Sequence, residues 1–211
     1  LISTRIDAFP GQQLHLLRVA AVFGREFDLL RVSAVADDDL TLTAGLDELI
    51  EHDRDRTFRF RHAMYRDVAY EGLPFHERRR LHERTGRLLE SELDDPSQIA
   101  SLLSLHFAAA GRHPDAYRYA VRAANDAAGA YAHVEAIEQY ERALRAGRHC
   151  HDVDAEERAA LHEQLGRSRE FSGDLVGAEK AYRRVGQLTA DVDLAVNCLR
   201  RRARVRQKQS R

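Results

Sequence analysis

A repeated spacing in the second half of the chain limits its fold more than any other feature. Ala124, Ala136, Tyr140 and Ala143 are separated by 12, 4 and 3 residues, and Gly166, Ala178, Tyr182 and Val185 repeat those intervals at an offset of 42. A fixed period of this size marks stacked helical pairs, none of which can bury its apolar face alone. The small residue on the first helix of a pair lets the second approach closely, and the aromatic fills the groove between neighbours. The pattern predicts helices over 98–110, 115–128, 131–146, 156–172, 174–188 and 191–206, with breaks at Gly111, Pro114, Gly129, Gly147 and Gly173.

Composition agrees with a folded helical chain. Of 211 residues, 44% are hydrophobic and 32% charged, enough apolar side chain for a real core and too much for a disordered polymer. No apolar run approaches the roughly 18 residues of a membrane span. The start, Leu1-Ile2-Ser3-Thr4-Arg5, has no basic segment leading into an apolar one, and no initiator Met, so a piece of a longer polypeptide is expected. Two cysteines, Cys150 and Cys198, are too few for a disulfide framework, and the expected setting is reducing and cytoplasmic.

The first third reads differently. Gln12 to Phe23 is almost uninterrupted apolar sequence, the mark of a helix buried on most sides, and Gly24 ends it. Asp28 is placed to cap a second helix over Leu29 to Ala36, and the acidic turn Asp37-Asp38-Asp39 leads to a third, about Thr43 to His52, with Leu46, Leu49 and Ile50 on one face. Thr57-Phe58-Arg59-Phe60-Arg61 then alternates apolar with polar, as a half-buried strand does. Three helices followed by a short strand pair is the order of a winged-helix module. Helices over 62–72 and 75–93 follow, and Asp94-Asp95-Pro96-Ser97 combines turn formers with a helix breaker. The fold expected is therefore mainly α, with a winged-helix-like domain near 1–95 and a helical array near 97–211.

Charge weighs against nucleic acid. Residues 37 to 55 hold eight acids and one base, Arg54, which would repel phosphates from the third helix of a winged module. The seven bases from Arg200 to Arg211 are the better candidate for a DNA-binding regulator. Their plainer reading is the wet face of a further helix, because Leu194, Ala195, Cys198, Leu199 and Val205 keep a helical apolar set. His149-Cys150-His151-Asp152 is metal-like in content, but consecutive ligands diverge and no second ligand pair accompanies them. Cys150 beside His149 or His151 lacks a visible oxyanion partner. No catalytic, metal-binding or cofactor-binding residue is therefore assigned.

Two resemblances add to this reading. Leu165-Gly166, followed by Ala178 and Tyr182, resembles the tetratricopeptide repeat, whose period is about 34 residues, with the surplus of this chain falling in the loop from Gly147 to Asp154. The first 95 residues contain, in order, Ile6-Asp7-Ala8-Phe9-Pro10, Leu17 through Phe27, Phe60-Arg61-His62-Ala63, Arg66-Asp67-Val68-Ala69-Tyr70 and Glu77-Arg78-Arg79-Arg80-Leu81-His82. That series resembles the region just after the ATPase core in bacterial multidomain signal-transduction ATPases. Those regulators carry an adenylate/guanylate cyclase or a LuxR-type DNA-binding domain and a tetratricopeptide-like arm. The resemblance implies a regulatory arm that packs on an adjacent ATPase domain and offers its array to a protein or small-molecule effector. The phosphate-binding loop of that ATPase, G-x-x-x-x-G-K-[ST], is missing, so no nucleotide hydrolysis is expected of this segment. Arg59, Arg61, His62, Arg66 and Asp67 are the candidate inter-domain contacts, and Tyr117, Arg118 and Tyr131 the candidate partner contacts. The alternatives are a stand-alone protein-interaction scaffold and the DNA-binding regulator named above.

Overall fold

The computed structural model describes residue 6, residues 9–36 and residues 45–209, and the chain divides between Asp94 and Asp95 into two compact units. The fold is mainly α: ten α-helices and one small antiparallel sheet among the described residues. None of those helices is long and apolar enough to cross a membrane.

The first unit is built on α1 (Gly11–Phe23), which buries Leu16, Leu17, Val19, Ala20, Ala21 and Val22. β1 (Glu26–Asp28) and α2 (Leu29–Ala36) follow, and Asp28 Oδ1 accepts from the Leu30 and Arg31 amides at 2.8 and 3.2 Å, capping α2 as its position suggested. β2 (Ile50–Arg54) and β3 (Thr57–Phe60) come next, then α3 (Ala63–Glu71) and α4 (Phe75–Ser91). The sheet has the order β1-β3-β2, with Phe27 opposite Phe58 and Ile50 opposite Phe60. Phe60 is fully buried, and its ring lies 5.5 Å from that of Phe27. Burial of a side chain this large contributes about 2–3 kcal/mol.

β2 and β3 form the expected strand pair, and Glu26-Phe27-Asp28 joins the free edge of β3 as a third strand; three residues are too few to show a period. One expectation is corrected. The helix expected over 43–52 is a turn at 45–49 followed by strand β2. Leu46, Leu49 and Ile50 are all buried as a helical face would be, and the Leu49 and Ile50 amides both donate to the Leu46 carbonyl. Pairing with Phe60 then takes Ile50 into the sheet, so tertiary contact overrides a short apolar period. The acidic turn at 37–39 lies outside the described residues.

α3 is locked to its neighbours by aromatic and basic side chains. Arg66 Nε donates to the Ala21 carbonyl near the end of α1 at 2.9 Å, and its guanidinium lies 4.8 Å from the centre of the Tyr70 ring. Arg78 covers the same ring at 5.1 Å and donates to the Glu71 carbonyl at the end of α3 and the Leu73 carbonyl just past it. The Tyr70 hydroxyl and His82 Nε2 share a hydrogen bond of 2.9 Å whose direction follows the imidazole tautomer.

The second unit is an antiparallel helical array. Asp95 accepts from the Ser97 amide at 3.0 Å and opens a single 3-10 turn, Pro96–Ile99. After it come α5 (Ala100–Ala110), α6 (His113–Gly129), α7 (His133–Gly147), α8 (Ala155–Ser172), α9 (Leu175–Leu188) and α10 (Val192–Gln209), each packing mainly on its sequence neighbours. Gly111 and Gly173 end α5 and α8 in the left-handed region, at φ 74° and 87°. The repeated positions are the packing positions: Ala124, Ala136, Tyr140 and Ala143 share one core cluster, while Ala178, Tyr182 and Val185 share another with Cys198 and Val205.

Burial lowers the His82 imidazole to about 4, and the Arg66 charge adds to the effect. The unfolded chain therefore binds a proton that the folded one refuses between about pH 6.5 and pH 4, so stability is full above pH 6.5 and falls as acid is added. On His82→Gln, chemical denaturation at pH 7 and pH 5 should show a stability difference between the two pH values smaller by about 2 kcal/mol than in the parent protein. An unchanged difference would contradict the burial of a neutral imidazole.

Candidate functional site

The array forms a cleft of about 410 Å³ where α7 and α9 flank α8. Its geometry starts from the close approach of α8 and α9: a Cβ on Gly166 would stand 2.6 Å from the Tyr182 ring, so only glycine permits this spacing. Leu144, Leu165, Ala181 and Leu188 supply the apolar part of the lining. Cations surround it: Arg145 and Arg148 from α7 and its end, Arg158 and Arg169 from α8, Lys180 and Arg184 from α9. Glu141 is the single acid in the lining.

Partners within the chain separate structural cations from available ones. Arg169 pairs closely with Glu141, donates to the Gly177 carbonyl at 3.1 Å and lies 3.5 Å from the Asp174 carboxylate, so it ties α8 to both α7 and α9. Arg145 stands 3.7 Å from the same Glu141. Arg158 donates to the Asp154 carbonyl and Arg184 to the Gln187 amide oxygen, neither of which cancels charge. Arg148 and Lys180 have no ion-pair partner among the described residues. Four cations therefore face the cleft without a counter-charge. Their field is felt by His162 in the lining: burial first, then Arg184, Arg148, Arg169 and Arg158, lower its imidazole to about 4. His162 Nδ1 is buried with no hydrogen-bond partner.

The residues singled out from sequence lie elsewhere in the fold. Tyr117 is half-buried against Gly147, and its hydroxyl donates to Glu157 at 2.6 Å, linking α6 to α8; burial and that carboxylate raise its pKa. Arg118 is exposed, with its guanidinium 4.5 Å from the Tyr119 ring centre. Tyr131 is 83% exposed and held at φ 60°, a conformation costing an ordinary residue about 1–2 kcal/mol. It meets His133 edge-on, and His133 stacks on the exposed Phe171 ring at 4.8 Å. In the first unit, Arg59 and Arg61 both pair with Glu51, at 2.5 and 3.0 Å, which holds that carboxyl below its usual range. His62 precedes α3 with its ring 5.3 Å from that of Tyr65, and Arg66 pairs with Asp67 at 3.0 Å.

The loop cluster at 149–152 is spread apart. His149 stacks on His113 at 4.3 Å, and the Cys150 thiol donates to the Ala146 carbonyl. Burial, with Asp152 and Glu157 nearby, raises that thiol, and burial pushes Cys198 up to about 11; both effects oppose the thiolate a nucleophile needs. In the basic C-terminal helix, Arg202 and Arg206 bind Glu179 while Lys208 binds Glu170 at 3.0 Å, with Arg201 3.9 Å from the same carboxylate.

Sequence reasoning missed the cleft because its cations form no run. The signal lies in helical spacing: Arg158, His162, Leu165 and Arg169 fall at i, i+4, i+7 and i+11, Lys180 and Arg184 at i, i+4, and Arg145 and Arg148 at i, i+3. Since Arg184 is the largest charge acting on His162, Arg184→Gln should raise the titration point of that imidazole from about 4 toward its ordinary value, as followed by ring-nitrogen NMR. Titration near 6.5 in the parent protein would contradict the buried cationic cleft. No protein-family model, curated protein or solved structure matches this chain, so its own residues carry the functional reading.

Proposed function

We propose that this chain is a non-catalytic regulatory and scaffolding arm, of the kind that bacterial multidomain signalling ATPases carry, and that its helical array receives an effector in the cleft between α7, α8 and α9. The observation that carries this reading is the set of uncancelled cations, Arg148, Arg158, Lys180 and Arg184, around an apolar lining. Holding like charges this close costs electrostatic energy unless an anion relieves it. The raised thiols of Cys150 and Cys198 weigh against either serving as a nucleophile. The first unit contributes the segment that would face an ATPase domain, where Arg59, Arg61 and Arg66 are held in fixed pairs with Glu51 and Asp67. DNA binding through the C-terminal helix has less support, because Glu170 and Glu179 already occupy Arg201, Arg202, Arg206 and Lys208.

An antibody raised against this segment should detect, in the source cells, a polypeptide several times heavier than 24.0 kDa. A band at that mass would overturn the multidomain arm and leave the stand-alone scaffold.

A further inference from the structure

We infer that the cleft between α7, α8 and α9 binds a compact, polyphosphorylated small molecule, an inference that rests on the reading of this cleft as the effector site. The volume, about 410 Å³, is that of a small-molecule pocket. Charge density selects the ligand. The lining holds six cations against one acid, Glu141, which is itself engaged by Arg169. Matching the four uncancelled cations with peptide carboxylates takes one residue per charge, and four extended residues span about 14 Å. A phosphate monoester carries about −1.5 to −2 on a single centre, so two or three phosphates deliver the same charge within the space available.

The kind of cation agrees. Five of the six are arginines, whose planar fork pairs two N–H groups with two oxygens of one phosphate. Arg148, Arg158 and Arg184 line the cleft from three successive helical segments, which suits a branched or chained phosphate better than a flat carboxylate. His162 Nδ1 adds one polar atom without a partner, and Leu144, Leu165 and Leu188 give an uncharged portion of the ligand an apolar wall. An anion here also offsets the arginine charges that add to burial in holding His162 neutral.

The test is calorimetric titration of the whole protein at about 150 mM salt with inorganic tripolyphosphate, hexaglutamate and a short single-stranded oligonucleotide. Tripolyphosphate should bind saturably at one site per chain. Arg148→Glu/Arg184→Glu should weaken that binding by about tenfold or more. Arg200→Glu/Arg204→Glu carries the same change of net charge on the exposed face of α10 and should leave it within about twofold. Should the double reversal in the cleft lose its helical signal, Arg184→Gln serves instead, with a weaker but measurable loss. Absence of saturable tripolyphosphate binding, or equal losses in the two double variants, overturns the inference. Tighter cleft-dependent binding of hexaglutamate or of the oligonucleotide also overturns it, while leaving the effector cleft itself standing.

Discussion

The array depends on one close approach, the Tyr182 ring lying over the bare Cα of Gly166. With no side chain on α8 at that point, α9 settles close enough for Tyr182 to be almost wholly buried and for its hydroxyl to donate to Glu170 at 3.2 Å. The first repeat meets the same problem with a different small residue. Ala124 stands where glycine does in the second, and the buried Tyr140 donates to Asn125 at 2.9 Å. Each tyrosine thus fills a groove with its ring and returns its polar end to the helix it packs against, which satisfies the hydroxyl while keeping the apolar area buried. The position of α9 over α8 then decides where Lys180 and Arg184 stand relative to Arg158 and His162. The cleft follows from the packing.

Charge is distributed around that frame with a visible division of labour. Acids sit where helices need to be tied: Glu141 to Arg169, Glu170 to Lys208, Glu179 to Arg202 and Arg206. Such pairs are partly shielded from water and act across helices, so they fix relative placement more than they add stability. The same economy of partners appears in the first unit, where Glu51 serves both Arg59 and Arg61, and Tyr70 lies within reach of Arg66 and Arg78. Cations of the cleft are the exception to this pattern, and that exception is what gives the array a chemical preference.

Much of the helical architecture was legible because long amphipathic segments with Gly breaks leave little freedom. The expected helix over 156–172 is the observed α8 to within a residue, and the 12-4-3 spacing names the buried tyrosines directly. Legibility failed where elements are short. Leu46, Leu49 and Ile50 satisfy a helical face, yet sheet pairing claims Ile50; β1 is too brief to show alternation. The cleft was hidden for a different reason. Its cations are separated by up to 39 positions, from Arg145 to Arg184, and become neighbours only when three helices stack. The basic C-terminal segment gave the opposite impression, a dense run of charge whose acidic partners lie 23 to 38 residues upstream.

The central claim, that the array is set by the glycine-to-tyrosine approach, is tested most directly by comparing thermal unfolding of Gly166→Ala with Gly186→Ala. Both replace a helical glycine, and helix propensity alone favours alanine at each by about 0.5–1 kcal/mol. At Gly186 a Cβ meets nothing within 4 Å, so that variant should melt higher than the parent. At Gly166 the added carbon collides with the Tyr182 ring, and overpacking should cost about 1–3 kcal/mol and lower the melting temperature. Equal stabilisation by the two substitutions would contradict the account.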